Sequence, residues 1–148
     1  MSTGSSPGRW PSVTAIAERI VLDTDVVSRL LRGSLTDDVA ERLTGAVLFL
    51  TFVTVGELLR GAVHARWGSR RIATLTAWLK AVPVVPGDPL VARRWGELTG
   101  SALRTGRPLP SNDAWIAACC LVHAVPLATY DRRDFERIDK LELISAPS

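Results

Sequence analysis

The chain has 148 residues, 47% of them hydrophobic and 22% charged, with 18 basic against 15 acidic side chains for a net charge of +3. That composition suits one compact domain and excludes a disordered or low-complexity polypeptide. No apolar run reaches the ~18 residues of a membrane span, and the adjacent Cys119 and Cys120 offer no disulfide framework.

Residues 1–18 read as a flexible tail: Met1–Ser12 is built from Ser, Gly and Pro and lacks the apolar core of a secretory signal. The expected location is therefore cytoplasmic. A buried strand is expected at Arg19–Asp23, closed by Asp-Thr-Asp. A short helix follows over Val26–Leu31 and stops at Gly33. Thr36 is placed to cap a helix over Asp37–Leu43, whose first turn is acidic as the helix dipole prefers. Val47–Phe52 is the second strand. Thr54 starts a helix to about Ala65 with Val55, Leu58, Leu59 and Ala62 on one face, and Arg70–Ala81 repeats the pattern through Ile72, Leu75 and Leu79. Val82–Val85 is a brief strand broken by Pro86, and Pro89–Thr105 is a long helix with Pro near its start. After a Gly-Arg-Pro-Leu-Pro loop, Ser111 caps a helix to Val122, in which the two cysteines point apart and read as small core residues. Pro126–Thr129 and Leu141–Ser145 are the last strands. This alternation predicts one α/β domain over residues 19–146, with a mostly parallel sheet covered by helices on both faces.

Four acids fall where apolar segments hand over to their neighbours. Asp23 closes the first strand, Glu57 follows the second, Asp113 lies in the first turn of the Ser111 helix, and Asp131 follows Val125–Thr129. Any one of them has an ordinary explanation as a turn residue or a helix-terminus charge. Together they gain weight, because the strand exits of a parallel sheet lie side by side and form the ligand crevice of such folds. Carboxylates gathered there repel one another unless a cation neutralises them, and a hard oxygen cluster suits Mg²⁺ or Mn²⁺. Sixteen of the 18 basic residues are Arg, the side chain that grips phosphate at two points. A GC-rich coding sequence gives the same bias. Arg60, Arg104, Arg107, Arg132 and Arg133 are candidates to contact a polyanion, with Arg132 and Arg133 first because they adjoin Asp131. His64 and His123 have no evident role in the site.

The wording around these acids resembles that of the PIN-domain family. Ile20-Val21-Leu22-Asp23-Thr24 is similar to its opening, and Thr54-Val55-Gly56-Glu57-Leu58-Leu59-Arg60-Gly61 to its second motif. Asn112-Asp113-Ala114-Trp115-Ile116-Ala117-Ala118 and Thr129-Tyr130-Asp131-Arg132-Arg133-Asp134-Phe135 are similar to its third and fourth. The group most resembled is the VapC toxins of type II toxin–antitoxin pairs. The resemblance implies a three-layer α/β/α PIN-like domain and a Mg²⁺- or Mn²⁺-dependent endoribonuclease. Asp23 and Asp113 would be its principal metal ligands, with Glu57 and Asp131 as the third and fourth acids. It also implies inhibition by a VapB-type antitoxin, whose C-terminal segment enters a groove between early helices and often places an Arg in the acidic site. A homodimer is expected of the free toxin, with Trp67 and Trp78 either anchoring a partner or filling the core. Asp25 stands where that group usually has Asn or Ser, and either adds charge to the site or caps a helix. Asp131 stands where Asn is common, with Asp134 close by as the other candidate for the fourth acid. Two alternatives remain at this stage. Asp23-Thr24-Asp25 also resembles the first motif of haloacid-dehalogenase-type phosphatases, but Lys80 lies at the far end of an amphipathic helix and Lys140 falls after the last acids, so neither supplies the lysine that chemistry needs before those acids. A catalytically silent PIN-like binding module is the other.

Overall fold

The computed structural model describes residues 17–145. Most of the tail assigned to residues 1–18 lies outside the described residues. The elements run β1 (Arg19–Leu22), α1 (Thr24–Arg32), α2 (Asp37–Leu43), β2 (Val47–Thr51), α3 (Phe52–His64), α4 (Ser69–Ala81), β3 (Val84–Val85), α5 (Pro89–Arg104), α6 (Ser111–His123), β4 (Leu127–Ala128), α7 (Arg132–Phe135) and β5 (Leu143–Ile144).

All four strand pairings are parallel, and the sheet order is β3-β2-β1-β4-β5. Successive side chains of a strand point to opposite faces, and the strand residues divide accordingly. Ile20 and Leu22 of β1, Leu50 of β2 and Ala128 of β4 pack with Val26, Val27, Val39, Ala62, Leu75 and Leu79 on the α1–α4 side. Val21 and Leu127 pack with Val91, Ile116, Ala117 and Phe135 on the α5–α7 side. Burial on both faces is why these strands read as continuous apolar runs rather than alternating ones. The expected three-layer α/β/α arrangement is what forms. Among the described residues, no helix is long and apolar enough to cross a membrane.

The order of the strands also places a crevice. The chain moves from β1 outward to β2 and β3, then returns to lay β4 on the other side of β1. The direction of winding therefore reverses between β1 and β4, and ligands of open α/β sheets bind outside the carboxyl ends of strands at such a point. Leu22 is paired with Ala128 across this junction, so the residues that follow, Asp23 and Thr129, meet there. Helix α6 is braced over the same end of the sheet by aromatic packing. Trp115 stacks on Trp95 of α5 at 4.7 Å and meets Phe52 of α3 edge-on at 5.5 Å.

Several boundaries differ from the sequence reading. α1 begins at Thr24 rather than Val26, because Asp23 is its N-cap and the Asp-Thr-Asp stretch forms the helix start instead of a turn. Phe52 belongs to α3 and not to β2: Thr51 caps α3 by accepting from the Thr54 amide at 3.3 Å. Ser111 is the first residue of α6 and does not cap it; Pro110 holds the cap position without a side-chain acceptor. Thr36 is the N-cap of α2, but its side chain makes no capping bond; its hydroxyl and amide instead meet the Tyr130 hydroxyl at 3.1 Å. The one-turn helix α7 was not foreseen. Trp67 and Trp78 are half-buried against the α1–α4 core, and the Arg71 guanidinium lies 3.7 Å over the Trp67 ring.

Candidate active site

Asp23 is the centre of the site. It follows β1, caps α1 and is only 6% exposed. Burying a carboxylate is costly unless its oxygens are paired. Here Oδ1 accepts from the Thr24 amide at 2.8 Å and Oδ2 from the hydroxyl of buried Thr129 at 2.8 Å. Thr129 does a second job, since its oxygen accepts from the Asp131 amide at 2.9 Å. One hydroxyl therefore ties the end of β1 to the loop after β4 and brings Asp131 to the rim.

Asp25 joins them. In the first turn of α1, its Oδ2 accepts from the Tyr130 amide at 3.2 Å, while Oδ1 is buried with no hydrogen-bond partner among the described residues. One carboxylate oxygen each from Asp23, Asp25 and Asp131 lie within 4.8 Å of one another, running from buried through half-buried to exposed. Carboxylate oxygens gathered this closely are the hard donor set that would suit Mg²⁺ or Mn²⁺. The buried Asp25 Oδ1, without a hydrogen-bond partner among the described residues, leaves one carboxylate acceptor of the cluster free. The residues present fit the ion.

Glu57 and Asp113 flank this trio without belonging to it. Glu57 Oε1 accepts from the Thr24 hydroxyl at 2.6 Å, and its Oε2 accepts from the Asn112 side-chain amide at 3.2 Å. The Arg60 guanidinium stands 3.9 Å from Oε2 but is largely in water, where such a pair contributes little. Asp113 is half-buried in the first turn of α6.

The electrostatics follow from this crowding. Burial pushes the Asp23 carboxyl above its ordinary range, against the hydrogen bonds from Thr129 and Thr24, with Asp131 and Glu57 adding repulsion. Asp25 is pushed up to about 7 by burial first and then by Asp23 and Asp131. Asp113 is pushed up to about 6, again by burial first, then by Asp23, Asp134, Glu57 and Asp131. Such an arrangement holds negative charge at a cost that a cation relieves. Asp131 lies in the tight trio and Asp134 acts on Asp113, so the two candidates for the fourth acid occupy different places.

The candidate arginines divide. Arg132 is tied down, donating to Ser145 Oγ at 3.1 Å and standing 3.6 Å from Glu136. Arg133 is exposed in α7, next to the Asp131 rim. Arg60 points past Glu57 into solvent. Arg107 is exposed in the loop before α6, and the Arg137 guanidinium clamps that loop by donating to the carbonyls of Arg107 and Pro108, each at 2.7 Å. His64 and His123 are the last residues of α3 and α6. Reading the sequence for acids missed the supporting hydroxyls and amide of Thr24, Thr54, Thr129 and Asn112. Thr129 stands two residues before Asp131, which is the local signal that could have found it.

An all-parallel sheet with carboxylates gathered at its switch point defines a class of α/β protein that presents a hard-cation site at its strand ends. The chain belongs to the PIN-domain family, which it matches over residues 20–141. It is 32% identical to ribonuclease VapC5 of Mycobacterium tuberculosis over 121 residues, spanning 80% of this chain and 87% of that protein. Among solved structures it is similar to VapBC-1 from nontypeable Haemophilus influenzae, with a TM-score of 0.75 and 25% identity, covering 86% of this chain and 97% of that one. It is also similar to VapBC-5 from Mycobacterium tuberculosis, described as a member of the VapBC family of toxin–antitoxin systems, with a TM-score of 0.63 and 28% identity over 86% and 98% of the two chains. Family membership removes the phosphatase alternative.

Proposed function

We propose that the chain is a divalent-metal-dependent endoribonuclease, the toxin of a VapBC-type pair acting in the cytoplasm, and that it cleaves RNA phosphodiester bonds in the crevice between β1 and β4. The observation that carries this reading is the Asp23–Asp25–Asp131 trio with its unpartnered Asp25 oxygen, found in a family whose relatives include a protein named as a ribonuclease. Asp23, Asp25 and Asp131 would hold Mg²⁺ or Mn²⁺, with Asp113 and Glu57 beside them. When bound, the ion relieves charge on the phosphate and makes water a better nucleophile. Thr129 and the Thr24 amide keep Asp23 from turning away. Asp113, raised to about 6 first by burial and then by Asp23, Asp134, Glu57 and Asp131, adds its carboxylate to the same crevice. Purified protein free of antitoxin is expected to cleave single-stranded RNA with Mn²⁺ and to stop on chelation; a chain that binds RNA but never cuts it would be the silent module instead.

The partner proposed is a VapB-type antitoxin. A groove of about 250 Å³ between α1, α3 and α4 is lined by Leu31, Leu58, Trp67 and Leu75 and runs to Glu57. An amphipathic segment laid there would end at the acids, and its addition is expected to abolish cleavage. A homodimer is proposed for the free toxin; light scattering at micromolar concentration reads it directly, and a strict monomer contradicts it.

RNA contact is assigned to Arg133, Arg60 and Arg107, with Arg132 holding the loop as well. The double substitution Arg132→Ala with Arg133→Ala is expected to weaken an uncleavable RNA by about tenfold and to reduce the salt dependence of binding. Mn²⁺ affinity should stay within about twofold, since neither side chain touches the trio. Equal losses of RNA and Mn²⁺ binding in paired titrations would mean that these arginines only hold the Asp131 loop.

A further inference from the structure

Glu57 is held at both oxygens by side chains from two other helices, Thr24 of α1 and Asn112 of α6. The Thr24 contact has a direction that can be worked out. A hydroxyl has one proton, and Thr24 gives its proton to Glu57 Oε1 at 2.6 Å. The 2.9 Å contact between the Thr24 and Thr54 hydroxyls therefore runs one way, with Thr54 donating. Thr54, its proton spent, accepts from the Thr51 hydroxyl at 3.5 Å, a long bond, and Thr51 in turn accepts from the Thr54 amide at 3.3 Å. Thr51 and Thr54 are both fully buried, so no water competes for these positions. The chain of donors starts at the first turn of α3, passes through three hydroxyls and ends on the carboxylate beside the metal trio. Each donor in such a line polarises the next, and the last bond, to an ionised acceptor, is the strong one.

We infer that Thr24 is a positioning residue for RNA cleavage, its hydroxyl polarised by the buried Thr54–Thr51 pair and holding the Glu57 carboxylate toward the crevice. The inference rests on the nuclease reading above. Helix capping alone explains Thr51, but it leaves unexplained why the Thr54 hydroxyl faces Thr24 instead of a backbone carbonyl of its own helix.

The test is RNA cleavage in Mn²⁺ by Thr24→Val, Thr24→Ser and Thr54→Val, each also made together with Glu57→Gln, with melting curves for all. Thr24→Val is expected to lower kcat about tenfold with KM within about twofold. Thr54→Val should lower kcat about threefold, and Thr24→Ser, which keeps the donor, should recover most of the loss. In the Glu57→Gln background neither valine should cost anything further, because both act through that carboxylate. Should Thr24→Val fail to fold, Thr54→Val carries the same test one link back. Full-rate cleavage by the valine variants, or losses that multiply with Glu57→Gln, overturn the role while leaving the nuclease reading intact. No cleavage by the unaltered chain overturns the nuclease reading, and this role with it.

Discussion

Asp23→Asn is expected to lower the rate of RNA cleavage by about 10³-fold or more while the protein stays folded. Asp23 is the deepest member of the trio, and both of its oxygens are already oriented by the Thr24 amide and the Thr129 hydroxyl. Asn fills the same volume but removes the charge that a cation needs and turns one acceptor into a donor. The fold should survive, because burial disfavours the charged form that the substitution removes. Asp113→Asn is expected to lose activity comparably, because it removes a carboxylate that the neighbouring acids of the crevice already act on. Single-turnover cleavage in saturating Mn²⁺, with melting curves alongside, reads both variants. Full-rate cleavage by either one removes that residue from the site.

Without a divalent ion the protein is expected to melt on the order of 5 °C higher near pH 5 than near pH 8. The sign follows from Asp25, raised from 3.8 to about 7, and Asp113, raised from 3.8 to about 6. The folded protein holds more protons than the unfolded chain between the unfolded and folded values. Stability is therefore greatest below about pH 4 as far as these two groups decide it, and it falls as pH rises through 6 and 7. Mn²⁺ neutralises the same repulsion, so it should raise the melting temperature more near pH 8 than near pH 5. Asp25→Asn should flatten the slope in chelator and shrink the Mn²⁺ effect. Melting curves across this pH range, in chelator and in Mn²⁺, measure all three. A melting temperature in chelator that climbs with pH contradicts the account.

The parts of the fold written as long apolar or periodic segments were legible in the sequence. β1, β2, α4 and α5 appear where hydrophobic runs and 3.6-residue spacing put them, within a residue or two. The elements that escaped were short or carried ambiguous signals. The α7 sequence Arg-Arg-Asp-Phe spans four residues, too few to show a period, and only buried Phe135 marks its inner face. Asp23-Thr24-Asp25 serves equally well as a turn or as a helix start; the Asp23 cap and the packing of Val26 and Val27 decide for the helix. Phe52 extended an apolar run that looked like more strand, and the capping hydroxyl of Thr51 is what ends β2.

Of the four acids singled out in the sequence, the topology brings Asp23 and Asp131 into one cluster, as their places after β1 and β4 suggested, while Glu57 and Asp113 lie beside it. The place of Asp25 was not legible. Whether a residue two positions after Asp23 faces the crevice or solvent depends on where α1 begins, and that boundary was misread. The hydroxyls around the acids were invisible for a different reason. Thr24 and Thr54 are ordinary β-branched residues in sequence, and only the meeting of α1 and α3 gives them partners; Thr129 alone carried a local signal, two residues before Asp131.

The most direct test of the metal site is a titration of Mn²⁺ into the antitoxin-free protein, followed by the electron paramagnetic resonance signal of the free ion, for the unaltered chain, Asp23→Asn and Asp25→Asn. Saturable binding by the unaltered chain is expected, with affinity reduced about tenfold or more in each variant. Equal binding by all three proteins would contradict a cation held by Asp23, Asp25 and Asp131.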